Sequence, residues 1–272
     1  MSGTAKGSPK KFLFWFVAVV ITLVSAVYQR MTGPTYPAHG KVAIEDGTFR
    51  FRIPRSAEST ADAVIALALP APAEGYLEYK RYNSNDPWTR ELLVRKDAEL
   101  VGFLPKQPAA GKLIYKVHVM TGGNDLLVGG DAPYIIRFKN SVPIWLIIVH
   151  ILVMFSGMLF ATAAGLAALD RKRNPRRFVI WAAALIFLGG FVLGPLVQKY
   201  AFGILWSGFP FGTDLTDNKT LVMLLCWVLA LIAGRRGKPA RAAVLTASVV
   251  TLVIYLIPHS LFGSEIDYTK LQ

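Results

Sequence analysis

The sequence predicts an α+β membrane protein: a four- or five-helix transmembrane bundle with an antiparallel β-sandwich inserted on the outer side. Three observations predict it. Five apolar runs occur, at Phe12–Tyr28, Val142–Leu169, Phe178–Val197, Leu221–Ala233 and Ala242–Pro258. A polar, strand-patterned segment of roughly 110 residues separates the first from the second. The chain is 53% hydrophobic and only 17% charged, whereas soluble domains are about 25% charged.

The expected organisation is a cytoplasmic tail (1–11), a transmembrane anchor (12–29), an outer β-domain (30–140), a four-helix membrane portion (141–260) and an outer tail (261–272). A spanning helix needs about 20 residues. The second run is long, about 42 Å if helical throughout, so it must tilt or project. The fourth is short, and Thr220 and Gly234 complete it near the interfaces. The first run also has the marks of a signal peptide, with Lys10 and Lys11 before it and Val24-Ser25-Ala26 near its end. Its length, Trp15 and several Phe residues favour an uncleaved anchor.

The net charge of +13 suggests nucleic acid until it is divided by location. The N-terminus (Lys6, Lys10, Lys11), the second–third loop (Arg171, Lys172, Arg173, Arg176, Arg177) and the fourth–fifth loop (Arg235, Arg236, Lys238, Arg241) hold twelve basic residues against one acid, Asp170. This is the positive-inside bias of a membrane protein. It orients the β-domain outward, in the periplasm of a bacterial inner membrane, and makes a nucleic-acid partner unnecessary. The same loops suit anionic lipid headgroups. The single cysteine, Cys226, excludes a disulfide within the chain, so the outer domain must be stable through its core alone.

Strands are expected at Lys41–Glu45, Thr48–Ile53, Ala63–Leu69, Tyr76–Tyr82, Glu91–Arg95, Glu99–Leu104, Lys112–Met120 and Tyr134–Lys139. Turn signals separate them at Asp46-Gly47, Pro70 to Gly75, Asn83 to Pro87 and Thr121 to Asn124. Tyr76, Glu78 and Lys80 should face one way, Leu77 and Tyr79 the other. The stretch Gly111-Lys112-Leu113-Ile114-Tyr115-Lys116-Val117-His118-Val119 resembles the penultimate strand of fibronectin type III or immunoglobulin-like domains. That resemblance covers the outer domain only. It implies a sandwich that binds or braces, and it carries no site residues with it.

Candidate functional residues are few. Trp88, after the turn formers Asn83 to Pro87, is either an interface anchor or a core tryptophan following a turn, the commoner arrangement. His39 and His118 lie far apart in the domain and do not read as a metal pair. In the bundle, Gly157, Ala161 and Gly165, then Gly190 and Gly194, then Ala243 and Ala247 form small-residue ladders suited to helix packing. No charge sits in the middle of a span, which disfavours a transporter. Gly194-Pro195 reads as a kink or termination near the outer end of its helix.

The loop Tyr200–Lys219 carries Trp206, Phe209 and Phe211 among glycines, then Asp214, Asp217 and Asn218. The aromatics suit a headgroup-level belt. Thr216 or Asp217 suits an N-cap of the fourth helix, or Asp214, Asp217 and Asn218 form a cation or partner site, although the glycine and distal glutamate of a calcium loop are absent. With Glu265 and Asp267 of the tail, these acids are expected to meet Arg137 or Lys139 and dock the β-domain. His150 and His259 both fall in the outer half of the bundle. They define an alternative reading, a bis-histidine b-type haem electron carrier. CxxCH, HExxH, P-loop and GxSxG motifs are absent from the sequence, so the first expectation is a non-catalytic scaffold or accessory subunit, without cofactor, that meets the lipid bilayer and a membrane or periplasmic protein.

Overall fold

The computed structural model describes residues 9–235, 240–259, 263 and 265–270. Lys6, Arg236, Lys238, Ser260 and the side chain of Lys10 lie outside that description. The chain divides into two compact units.

The helical unit contains α1 (Pro9–Thr32), α2 (Ile144–Leu169) and α3 (Arg176–Phe187). A π-helical turn (Leu188–Leu193) joins α3 directly to α4 (Gly194–Phe202), and α5 (Leu215–Ala233) and α6 (Arg241–Leu256) follow. With α3, the π turn and α4 counted as one helix, there are five among the described residues. Four are long and apolar enough to cross a membrane, and α6 is a shorter apolar helix of 16 residues. All five apolar runs thus become helices.

Two boundaries differ from expectation. The third helix does not end at Gly194-Pro195. Pro195 lacks an N–H and Gly189-Gly190 resist a regular helix, so the chain widens into a π turn and continues to Phe202. The fourth, α5, begins about a turn and a half before Leu221, because Asp214, not Thr216 or Asp217, is its N-cap. The Asp214 carboxylate accepts the N–H of Thr216 (2.8 Å) and of Asp217 (3.4 Å).

The helices pack on small residues. Met158, Ala161, Ala164 and Ala168 of α2 share a core with Ala182 and Ile186 of α3, Trp227 of α5 and Ala247 of α6. The expected ladder on α2 serves two neighbours. A Cβ on Gly157 would stand 3.1 Å from an Ile186 side-chain carbon on α3, and one on Gly165 would stand 2.7 Å from Ser248 Oγ on α6. Polar bonds then stitch helix to helix without charge. Ser248 Oγ donates to Ala161 O (2.6 Å), Tyr255 OH to Met154 O (2.7 Å) and Trp227 Nε1 to Thr251 Oγ1 (2.9 Å). Such bonds matter where apolar surroundings offer no alternative partner.

At the other end of α2, the Arg241 guanidinium donates to five carbonyl oxygens. Nη1 reaches Ala167, Ala168 and Asp170, and Nη2 reaches Arg171 and Arg173, at 2.8–3.2 Å. A helix ends with unsatisfied carbonyls and partial negative charge, and a cationic fork answers both.

The β unit contains β1 (Ala38–Ile44), β2 (Gly47–Ile53), β3 (Ser56–Glu58), β4 (Ala63–Ala68), β5 (Glu74–Arg81), β6 (Thr89–Leu92), β7 (Val94–Lys96), β8 (Glu99–Leu104), β9 (Lys112–Thr121), β10 (Asn124–Leu127) and β11 (Tyr134–Lys139). They form a β1-β2 hairpin, a six-stranded sheet ordered β3-β11-β9-β5-β6 with β10 also on β9, and a three-stranded sheet β4-β8-β7. One core draws on all three: Ile53, Ile65, Leu77, Leu100, Leu113, Tyr115 and Phe138 are buried together.

Three features depart from the expected strands. The segment Glu91–Arg95 is broken at Leu93, which is buried and carries the chain from the six-stranded to the three-stranded sheet. Gly75 and Gly102 make room for it, since a Cβ on either would fall within 3 Å of a Leu93 methyl. β10 was hidden by its polar start, although Gly122 and Gly123, at φ +55° and +80°, form the tight turn of a β9–β10 hairpin. Finally, β3 pairs with β11 in parallel, so the pairing is not antiparallel throughout.

Candidate functional site

In the helical unit, the segment after α4 is folded onto the start of α5 by its own polar groups. Asp217 accepts the backbone N–H of Ser207 (2.7 Å), and Asn218 Oδ1 accepts that of Phe209 (2.7 Å). The Gln198 amide and the Ser207 hydroxyl lie 2.5 Å apart, and both reach the Asp217 carboxylate. Trp206 stacks on Phe191 with 5.2 Å between ring centroids and donates Nε1–H to Phe209 O. Asp214 and Asp217 are each only 8% exposed, so these acids hold the loop rather than face outward. Phe209 and Phe211 are the exposed members of the group.

Sequence reasoning missed Lys219. It is buried, and its Nζ donates to Ile257 O (3.0 Å) and Pro258 O (3.4 Å), the carbonyl end of α6. The readable signal was a cation one turn into α5, where the dipole of its own helix disfavours it and another helix end must be its partner.

His150 is half-buried on α2 and donates Nδ1–H to Gly189 O (3.1 Å). That oxygen also accepts the Gly194 N–H within the π turn. His259 follows the end of α6 and is exposed. The two imidazoles therefore have different surroundings, and the bond to Gly189 accounts for a histidine at 150 without haem b.

In the β unit, the chemistry gathers on the face of β5, β6 and β9 turned away from the core. The register sets Tyr76 opposite both Leu92 and His118, and Glu78 opposite Arg90 and Lys116. The Tyr76 ring stacks on His118 (4.3 Å), the Arg90 guanidinium lies 3.4 Å above Tyr76, and Tyr76 OH donates to Asp125 (2.5 Å). Covered on both sides, Tyr76 is buried although its strand position faces outward. His118 Nδ1 lies 2.9 Å from the other Asp125 oxygen, and its Nε2 lies 3.5 Å from Glu78. The hydrogen bond from Tyr76, then that of His118, hold the Asp125 carboxyl below the ordinary carboxylate range.

Trp88 is not a core residue. It is 42% exposed, with Lys80 Nζ and Lys116 Nζ at 5.6 and 5.5 Å from its ring centroid. His39 is exposed on β1 beside Tyr36, away from the partners of His118. Among the described residues no group of three or more His, Cys, Asp or Glu is placed to hold a metal ion.

The tail acids have partners within the β unit. Glu265 pairs with Lys112 and accepts from Asn83 Nδ2 (2.6 Å), whereas Asp267 bonds to Thr269 and Lys270 in its own turn. Tyr268 anchors this tail in the β unit. It is 4% exposed, donates to Gln107 Oε1 (3.0 Å) and carries the Arg81 guanidinium 4.7 Å over its ring.

Arg81 also grips Asp86 through two bonds, Nε at 2.6 Å and Nη2 at 2.8 Å. That pair, with help from Ser84, lowers the Asp86 carboxyl to about 2. A lowered folded-state value means that the contribution is complete above the ordinary carboxylate range and is lost as pH falls toward 2. A carboxyl-carbon NMR titration of the full chain should show Asp86 still ionised at pH 3. Arg81→Ala should return it to the ordinary range.

No family model, curated protein or solved structure matches this chain.

Proposed function

We propose that this chain is a membrane-anchored, non-catalytic binding subunit of a bacterial inner membrane. Its long helices cross the bilayer with the N-terminus and arginine-rich loops in the cytoplasm. Its β unit closes as an immunoglobulin-like sandwich on the periplasmic side and receives a protein partner on the open face of the six-stranded sheet. Length and hydropathy of the four helices support the anchor. The distribution of Lys and Arg supports the orientation.

The observation that carries the binding role is the ridge formed by Trp88, just before β6, and Arg90 and Leu92 on β6, the outer strand of its sheet. Trp88 is 42% and Leu92 67% exposed, and Lys80, Arg90 and Lys116 surround them. Exposed tryptophan and arginine beside an apolar residue are the composition of interface hot spots. The surrounding cations favour an acidic partner surface.

The test is crosslinking in intact cells followed by purification in mild detergent. Wild type should carry one protein partner at defined stoichiometry. Trp88→Ala with Leu92→Glu should weaken the complex at least about thirtyfold, the scale of one hot spot, and leave the melting of the chain unchanged. A wild-type chain that purifies alone and monodisperse, with no crosslinked partner, overturns the reading.

A further inference from the structure

We infer that the basic end of the helical unit holds the phosphate headgroup of one anionic phospholipid in a cavity between α3, α5 and α6. The inference rests on the membrane reading above and adds a ligand to it. The cavity has a volume of about 220 Å³. Val179, Leu231 and Val244 form its apolar walls, and Arg176 and Arg235 stand on its lining.

The surrounding charges show why these two arginines are the ones available. Arg241 is committed to the five carbonyls at the end of α2. Arg173 pairs with Asp170 (3.1 Å) and covers the Phe14 ring at 4.3 Å. Asp170, the sole acid of these loops, is thereby occupied, and its carboxyl is held low first by the Lys172 N–H and also by Arg173. Arg176 and Arg235, both exposed, make no ion pair among the described residues.

Each piece alone has an ordinary explanation. Loop arginines orient helices, and helix ends leave small gaps. Together they place two cations at an apolar cavity, which is the arrangement that binds an anionic headgroup at its charged mouth and acyl carbons on its walls. A zwitterionic headgroup satisfies only the apolar part, and free phosphate only the charged part.

The experiment uses the full chain in nanodiscs of phosphatidylcholine containing phosphatidylglycerol, with the retained lipid read by native mass spectrometry after extraction. Wild type should keep one phosphatidylglycerol per chain. Arg176→Gln with Arg235→Gln should hold it about thirtyfold more weakly, as expected for two cations at a headgroup. Leu231→Trp fills the cavity and spares both arginines, and it should lose the lipid as well. Arg171→Gln with Lys172→Gln, on the same loop but off the cavity, should keep it.

Equal loss in the loop variant, or retention in the Leu231→Trp variant, overturns the site in favour of diffuse charge. Competition by millimolar inorganic phosphate assigns the ligand to a free anion and overturns the lipid. A chain that never enters the membrane fraction defeats the membrane reading itself. A chain that enters it and retains no phosphatidylglycerol defeats only this inference.

Discussion

Trp227→Ala is expected to destabilise the helical unit by about 4 kcal/mol, the scale of removing a fully buried aromatic from a core. Trp227 is completely buried in the core that joins α2, α3, α5 and α6, and its indole N–H is bonded to Thr251. Thr251 is itself fully buried and donates onward to Ala247 O (2.8 Å). The alanine variant therefore loses ring contacts and removes the donor that Thr251 Oγ1 accepts from. Thermal unfolding of the full chain in neutral detergent would measure the loss. Trp227→Phe keeps most of the ring, so it should cost about 1–2 kcal/mol. Equal stability of all three proteins would mean that the core is not packed as described.

Arg241→Ala should have the next largest effect, about 3 kcal/mol, because the donors of several charge-assisted bonds go at once. The carbonyls it leaves are those of Ala167, Ala168, Asp170, Arg171 and Arg173. Some will find water, which is why the cost stays below the sum of five bonds. Arg241→Lys should recover less than half, since one ammonium cannot span acceptors that a planar fork reaches together. Hydrogen exchange should report it locally, with the amides of 170–174 losing protection while α5 keeps its own. A variant with unaltered exchange there would remove Arg241 from the structural account.

These two residues show what was legible and what was not. Hydrophobic run length was enough to find all five helices, although the start of α5 and the end of α4 lay beyond the apolar runs. Alternation was enough for seven of the eight expected strand segments, as in β9, where Leu113, Tyr115, Val117 and Val119 bury every second position, but not for Glu91–Arg95, which is split at Leu93. Arg241 could be counted in sequence only as one more cytoplasmic cation. Its task depends on where α2 ends in space relative to the start of α6, and no local pattern records that.

Lys219 carried a readable signal, a cation in the first turns of α5, but which helix end it meets depends on placement in space; the short parallel strand β3 was illegible because its three residues carry no period. The candidate site was legible in composition but not in roles. Asp217 read as a cap or as a binding group, and Asp214 only as a binding group, until the hydrogen bonds made Asp214 the cap. Trp88 read most simply as core, because the turn before it gives no hint of which face of the sheet follows.

The widened turn at Leu188–Leu193 has one more consequence. Each such turn slips an additional residue into the coil, so every side chain beyond it is rotated by about 100° from where an unbroken α-helix would carry it. Gln198 meets Ser207 and Asp217 only with that rotation, and Gly189 O offers itself to His150 only where the ladder loosens. Deleting one glycine of the pair would straighten the rod and swing Gln198 away from its carboxylate. The two glycines thus act as a phase shifter, letting one helix satisfy α2 along its lower half and a different set of neighbours above.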